Sequence, residues 1–433
     1  MTFDWNSIKR VHCIGIGGVG ISALARLLMH QGKILSGTED NESPETLNAL
    51  REQGVSISLS LDPKALPDTD CYLYSDAWLT KHTEVLDEAK TRGVPTLSYF
   101  EALGSIAAQY KVIAVAGAHG KTTTTAMLID VLEAGELDPT AIVGSLRTKT
   151  KSNFRAGRGE YFVVEADEYR RHFLHFTPYI LLINNIDADH LDYYKDLEDI
   201  QSAFRALATA VPKDGFVVCD VSDEKIVPIL QGVSATIVDY KPFIDPTLSL
   251  KVLPLHRMNA AGVLAVADLL HIDKEVAKRA LADFTGTWRR FEYKGTTVTG
   301  AVVYDDYGHH PKEIVTTLRS VREWFPHTHL VVVFQPHLYS RTKLLFEEFV
   351  SAFADADEVI IAPIFAARET TDAEVSHYLL AERIHALGKQ VEAFDSPDAI
   401  KIYLEKNIHE GDTIVTMGAG DIYKVGEALV RHI

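Results

Sequence analysis

The sequence predicts an α/β protein of three domains, each built on a largely parallel sheet flanked by helices. Three observations carry that reading. Short apolar runs alternate with longer segments of helical period, the order that successive β-α units produce. Glycine loops stand directly after two of the runs, in VHCIGIGGVG and KVIAVAGAHGKT. The length of 433 residues, at roughly 150 per domain, calls for about three cores.

The first cycle is a strand at Val11 to Ile14, a glycine turn, a helix from near Ser22 that ends before Gly32, and a strand at Ile34 to Ser36. Cys71 to Tyr74 is a further strand, and Glu101 to Tyr110 reads as a connecting helix. Lys111 to Ala116 then opens a new strand and a new glycine loop, which places the first boundary near Gln109. In the middle portion the apolar runs Tyr161 to Val164, Ile180 to Ile183 and Phe216 to Cys219 each end in polar or charged residues. Such strand ends are where open α/β sheets hold ligands. A helix at Met258 to Leu270 leads to GTWRRFEYKG, whose turn glycines place the second boundary near Gly286. Strands at Ala301 to Tyr304, Leu330 to Phe334, Glu358 to Ala362 and Thr413 to Thr416 complete the chain. The expected domains are 1–109, 110–286 and 287–433.

Composition narrows the function. With 46% hydrophobic and 24% charged residues the chain reads as globular rather than disordered, collagenous or coiled-coil. Sixty acidic against 43 basic residues leave a formal charge of -17, a field that repels nucleic acid and anionic lipid. Any bound phosphate must therefore be held by a local site. Cys13, Cys71 and Cys219 form neither a disulfide framework nor a zinc pattern, which fits a reducing compartment. The start MTFDWNSIKR lacks the pattern of an export signal, and no run of about 18 uncharged apolar residues occurs. The expectation is a cytoplasmic protein, monomeric or homodimeric, with neither nucleic-acid nor membrane partners.

Gly15, Gly17 and Gly20 form G-x-G-x-x-G between a strand and a helix, with Gly18 inside the turn. Backbone N–H groups and the helix N-terminus there can face a diphosphate. Glu39 follows the second strand and suits a ribose or sugar hydroxyl. The loop reads a diphosphate and does not distinguish NAD from a UDP-sugar, and a ligand-free tight turn is the bland alternative.

The second loop carries Gly117, Ala118, His119, Gly120, Lys121, Thr122 and Thr123. Small residues expose N–H groups, a lysine reaches the β/γ-phosphates and a threonine hydroxyl binds Mg²⁺. YFVVEADEY supplies Glu165 as the metal carboxylate, with Asp167 and Glu168 behind it. YILLINNIDADHLDY ends in Asn184, Asn185, Asp187, Asp189, His190 and Asp192, where His190 suits a metal or phosphate role. In the third domain AVVYDDYGHHP presents Asp306, Tyr307 and His309, and VVVFQPHLYSRT presents His337 and Arg341. Two such loops suggest a domain that handles an anionic substrate. VTMGAGDIY is a phosphate-facing or merely tight turn.

In order and spacing, GIGGVGIS, GAHGKTTTT, EADE, NNIDADH, WRRFE, DDYGHHP and QPHLYSRT resemble the Mur ligases of peptidoglycan synthesis over nearly the whole chain. The resemblance implies a Rossmann-like first domain holding a UDP-sugar rather than NAD, a central P-loop ATPase-type domain for ATP and Mg²⁺, and a Rossmann-like third domain for an amino acid. It implies ATP-dependent joining of L-alanine to the lactyl carboxylate of UDP-N-acetylmuramate through an acyl phosphate. By matching position Lys121 is catalytic, Thr122 and Glu165 hold Mg²⁺, and His190 holds a second Mg²⁺. Arg290 and Asp306 contact ATP, Asn259 contacts adenine, and Tyr307, His309, His337 and Arg341 surround the amino acid and reaction centre.

Three positions depart from the family pattern: LHRMN where His-Asn-x-x-Asn is usual, Leu338 where an arginine is common, and EADEYRRHF with its Tyr169. Tyr169 is shared with relatives that attach a recycled tripeptide. Alternatives outside this activity are that tripeptide ligase, an NAD-dependent oxidoreductase and a non-catalytic nucleotide sensor.

Overall fold

Among the described residues eighteen strands form three sheets. The structure, a computed structural model, describes residues 3–41, 44–191, 193–367 and 369–430. Asp192 of the acid-rich loop lies outside them.

The first sheet holds β1 (Arg10–Ile14), β2 (Ile34–Thr38), β3 (Ser56–Ser58), β4 (Cys71–Tyr74) and β5 (Thr96–Ser98), all parallel, in the order β3-β2-β1-β4-β5. Strand order reverses between β1 and β4, so the loops after these two strands flank the crevice where such sheets bind ligands. The helix after β1 spans Val19–His30 and starts ahead of the expected Ser22, because the chain turns into it from extended Gly18. The connecting helix is Tyr99–Ala107, shifted towards the N-terminus from the expected span. Its start is set by a capping box, in which Ser98 accepts from the Glu101 N–H and Glu101 accepts from the Ser98 N–H.

The second sheet holds β6 (Lys111–Ala116), β7 (Thr140–Arg147), β8 (Ser152–Arg155), β9 (Tyr161–Glu165), β10 (Ile180–Ile183), β11 (Phe216–Cys219) and β12 (Thr236–Asp239). Its order is β12-β11-β10-β6-β9-β7-β8, parallel except for the β7–β8 hairpin. β6 is central, so the loop behind it lies between the ends of β9 and β10, which carry Glu165 and Asn184. The residues from Lys121 to Ala134 form the helix that follows.

The third sheet holds β13 (Glu292–Thr296), β14 (Val302–Asp306), β15 (Leu330–Phe334), β16 (Glu358–Ile361), β17 (Gln390–Ala393) and β18 (Thr413–Met417) in the order β13-β14-β18-β15-β16-β17. Only β13 is antiparallel among these.

One hydrophobic core runs on from the first sheet into the second, through Leu24, Leu103, Ile106, Phe162 and Phe173. Residues Met1–Ser249 and Arg257–Phe284 accordingly form one compact unit. The other comprises Leu250–His256 and Thr285–Ile433, and Leu253 joins its core with Phe291, Leu318 and Phe334. Among the described residues no helix is long and apolar enough to cross a membrane.

Candidate active site

The first glycine loop leaves β1 at Gly15, whose φ of +78° and closeness to Trp78 exclude a side chain: a Cβ would lie 2.4 Å from the indole nitrogen. Gly20 serves packing, since a Cβ there would meet the Tyr99 ring at 2.8 Å. The Glu39 carboxylate is buried and accepts from the N–H groups of Gly17 at 2.6 Å and Asp40 at 2.9 Å. Burial raises its pKa. Glu39, expected to face a sugar hydroxyl, is therefore bound to the backbone of the loop itself. Gly18 lies in the turn and donates its N–H to the Gly15 carbonyl at 3.3 Å.

The second loop is fastened to the end of β10. Asn185 accepts from the His119 N–H at 2.9 Å, the His119 carbonyl accepts from the amides of Asn184 and Asn185, and the Ala118 N–H donates to the Asn185 carbonyl. Gly120 precedes the helix in the left-handed region at φ +80°, and a Cβ there would come within 3.0 Å of Asn184 and Asn259. Lys121 and Thr122 open the helix, and Thr123 is buried behind them, where an α-helix leaves its first N–H groups without intrahelical acceptors. The Lys121 ammonium donates to the Gly117 carbonyl at 2.6 Å and to Glu168 at 2.9 Å. Burial alone would lower the lysine pKa, but the carboxylates of Glu168, Glu165 and Asp167 raise it overall.

The oxygens needed for a hard cation converge beside the lysine. Thr122 Oγ1 donates to Glu165 Oε1 at 2.9 Å, and Glu165 Oε2 accepts from the Gly144 N–H at 2.9 Å. Ligand atoms of Asp167, Glu168 and His190 all lie within 4.8 Å of one another. Carboxylate oxygens gathered in this way suit a hard cation such as Mg²⁺, and the Thr122 hydroxyl with Glu165 offers a further pair of oxygens. His190 adopts φ +54°, and the Glu168 carboxylate, 3.6 Å from its Nε2, raises its pKa. Burial works against the Glu168 carboxylate, yet Lys121 and His190 hold its pKa below the usual value. The signal for the Asn184 and Asn185 tethers is their place at the end of an apolar strand, where a side-chain amide can reach the neighbouring loop.

In the C-terminal unit the expected residues are also brought together. The Asp306 carboxylate accepts from the N–H groups of Phe291 and Gly308, both at 2.8 Å, and burial pushes its pKa up to about 6 against the charge of Arg290. The Arg290 guanidinium lies 5.3 Å from the centre of the Tyr307 ring. His309 Nδ1 is 3.1 Å from the Tyr307 carbonyl, its ring centre is 6.0 Å from that of His337, and burial lowers its pKa. Arg341 Nη1 lies 3.4 Å from His337 Nδ1, and Leu338 between them sits at φ +70°.

Neighbouring Arg289 is buried and bonds Asp305 and the carbonyls of Gly418 and Gly420. In the GAGD turn these two carbonyls are engaged by that arginine. His256, which stands in the LHRMN departure, belongs to this unit, and burial with the Arg290 charge pushes its pKa down to about 4. Asn259 lies in the other unit beside Gly120.

Three family descriptions match the chain in sequence. Residues 10–111 match the Mur ligase family catalytic domain, 115–241 the Mur ligase middle domain, and 289–420 the Mur ligase glutamate ligase domain. The UDP-N-acetylmuramate--L-alanine ligase of Caldanaerobacter subterraneus subsp. tengcongensis is 38% identical, across 100% of this chain and 99% of the relative. That of Clostridium kluyveri is 39% identical, across 100% of both. Among solved structures, the UDP-N-acetylmuramate-alanine ligase of Thermotoga maritima superposes with a TM-score of 0.81 at 26% identity, covering 98% of each chain. The murein peptide ligase of Psychrobacter arcticus shares the fold, with a TM-score of 0.69 at 23% identity over 97% of this chain and 98% of that one. Both glycine loops, the acid cluster and the histidine loops of the C-terminal unit lie inside the matched segments, and the chain belongs to the Mur ligase family.

Proposed function

We propose that the chain is an ATP-dependent ligase that joins L-alanine to the lactyl carboxylate of UDP-N-acetylmuramate through an acyl phosphate, in the cytoplasm. The single observation that carries this reading is full-length identity of 37–39% to relatives named for that reaction, and the phosphate-loop geometry supports it. In this reading residues 1–109 take the sugar nucleotide, 110–286 take ATP and 287–433 take the amino acid.

The residues suit the chemistry. Two anionic reactants must meet, so the Lys121 ammonium, now on the Gly117 carbonyl and Glu168, turns to the transferring phosphoryl group. Thr122 and Glu165 would hold one Mg²⁺, and His190 with Glu168 a second. Bound there, Mg²⁺ supplies charge neutralisation for the phosphoryl oxygens and the attacking carboxylate. Gly15, Gly17, Gly18 and Gly20 shape the sugar-nucleotide loop, and Glu39 holds that loop through the Gly17 N–H. Asn259 lies against Gly120 and is assigned to adenine, while Arg290 and Asp306 are assigned to ATP. His309 is depressed in pKa and hence neutral near pH 7, so it can accept a proton from the incoming amine. His337, Arg341 and Tyr307 orient the amino acid and its carboxylate.

The test is incubation with UDP-N-acetylmuramate, ATP, Mg²⁺ and single amino acids, following ADP and product mass. Alanine-dependent ADP release is expected. Faster turnover with the tripeptide would replace this reading with the recycling ligase, and absence of turnover with every amine would leave a nucleotide sensor.

A further inference from the structure

The segment Tyr169–His175, which trails from the acid cluster, carries a histidine that the phosphate loop does not explain. His172 Nε2 lies 2.9 Å from Asp76 Oδ2, and its ring stacks on Phe100 with centres 3.9 Å apart and planes at 18°. Its Nδ1 is buried and makes no hydrogen bond, but faces Asp167 Oδ2 at 3.9 Å. The side chain is only 13% exposed, so this is not a solvated surface pair.

Each neighbour of His172 belongs to a different part of the proposed site. Asp76 sits on the loop after β4, which packs beside the first glycine loop: a Cβ on Gly15 would lie 3.1 Å from Ser75 Cβ. Phe100 is on the helix whose Tyr99 packs on Gly20. Asp167 adjoins Glu168, the partner of Lys121. The seat is tight, for a Cβ on Gly104 would lie 2.4 Å from the His175 carbonyl oxygen. A single imidazole thus connects the crevice of the first sheet with the acid cluster of the second.

We propose that His172 is a positioning residue that couples the two ligand loops. Closure of the first loop on a sugar nucleotide fixes Asp76, Asp76 fixes the imidazole, and the imidazole fixes Asp167 and with it the cluster around Lys121. Each ligand then binds more tightly when the other is present, and the enhancement is reciprocal. The inference rests on the ligase reading.

The test is calorimetry with UDP-N-acetylmuramate and with the Mg²⁺ complex of a non-hydrolysable ATP analogue, each alone and each in the presence of the other. For the wild-type chain a mutual enhancement of about fivefold or more is expected. His172→Phe keeps a ring on Phe100 but cannot bond Asp76, and Asp76→Asn weakens the same link. Each should bring the enhancement to within about twofold of none, with single-ligand affinities nearly kept, and the double variant should lose no more. His172→Gln, which retains a donor, should restore part of it. Wild-type binding of both ligands without enhancement, unchanged enhancement in the variants, or equal loss of both single affinities would overturn the coupling while leaving the ligase reading intact. A wild-type chain that binds no UDP-N-acetylmuramate would overturn the ligase reading, and the coupling with it.

Discussion

The Lys121 ammonium lies 2.9 Å from Glu168 Oε1, and Glu168 has only 3% of its side chain exposed. The lysine therefore compensates a buried carboxylate, in addition to the phosphate role proposed for it. Lys121→Met is expected to lower kcat by about 100-fold or more while leaving UDP-N-acetylmuramate affinity nearly unchanged, because the proposed reading assigns that ligand to the first loop. It should also destabilise the fold by about 3 kcal/mol, and the double variant with Glu168→Gln should recover much of that. Single-turnover kinetics and thermal midpoints check the two halves separately, and equal loss of turnover and sugar-nucleotide binding would contradict the assignment.

Glu165 bonds the Thr122 hydroxyl with one oxygen and the Gly144 N–H with the other, so Glu165→Gln keeps the shape and removes the charge. The Mg²⁺ concentration for half-maximal turnover should rise about tenfold or more. A Mg²⁺ titration of ADP release that overlays the wild type would remove Glu165 from the metal site.

Gly120 has no room for a side chain and a φ of +80°. Gly120→Ala should cost about 1–2 kcal/mol and push Asn259 or Asn184 aside, so nucleotide affinity should fall more than sugar-nucleotide affinity. Fluorescent ATP-analogue binding measures this directly.

Asp306 gives a pH signature. Its folded-state pKa, about 6, stands above the ordinary 3.8. The contribution of this group to stability is therefore full below about pH 4 and is lost as pH rises through 6. The loss amounts to about 3 kcal/mol in order of magnitude. Asp306→Asn, which cannot ionise, should gain on the wild type by that order between pH 4 and 8. Denaturant midpoints for the C-terminal unit across that range provide the measurement, and a constant difference would show that the carboxylate is ionised throughout.

Strands buried on both faces are legible as apolar runs, and β6, β10, β11 and β15 occupy the expected residues. The strands that are not legible are the sheet edges: SIS of β3, TLS of β5, SNFR of β8, TIVD of β12, EYKGT of β13 and QVEA of β17. An edge strand has one neighbour and partial burial, so its residues need not be apolar, and charge there discourages pairing with other chains. Inner strand β7 escapes for a different reason, because Gly144 and Ser145 break its run. In the candidate site, the glycine loops and acids are legible because the residues that form them are nearly consecutive in the chain. Arg289 with the Gly418 and Gly420 carbonyls, Asp76 with His172, and Asn185 with His119 pair residues far apart in the chain, and no local pattern records such pairs.

The short segment Leu250–His256 has consequences for how this protein can be divided. It lies in sequence before the helix Arg257–Leu269 of the other unit, yet its Leu253 fills the core beside Phe291 and Phe334, and the Leu255 N–H donates to Ser320 at 3.1 Å. The C-terminal body is thus encoded in two pieces, separated by residues that belong elsewhere. A gene cut at Gly286 yields a fragment with an open hydrophobic slot, and a transplanted or recombined module must carry its plug in trans or through a new linker. The molecule is not modular in its genetics.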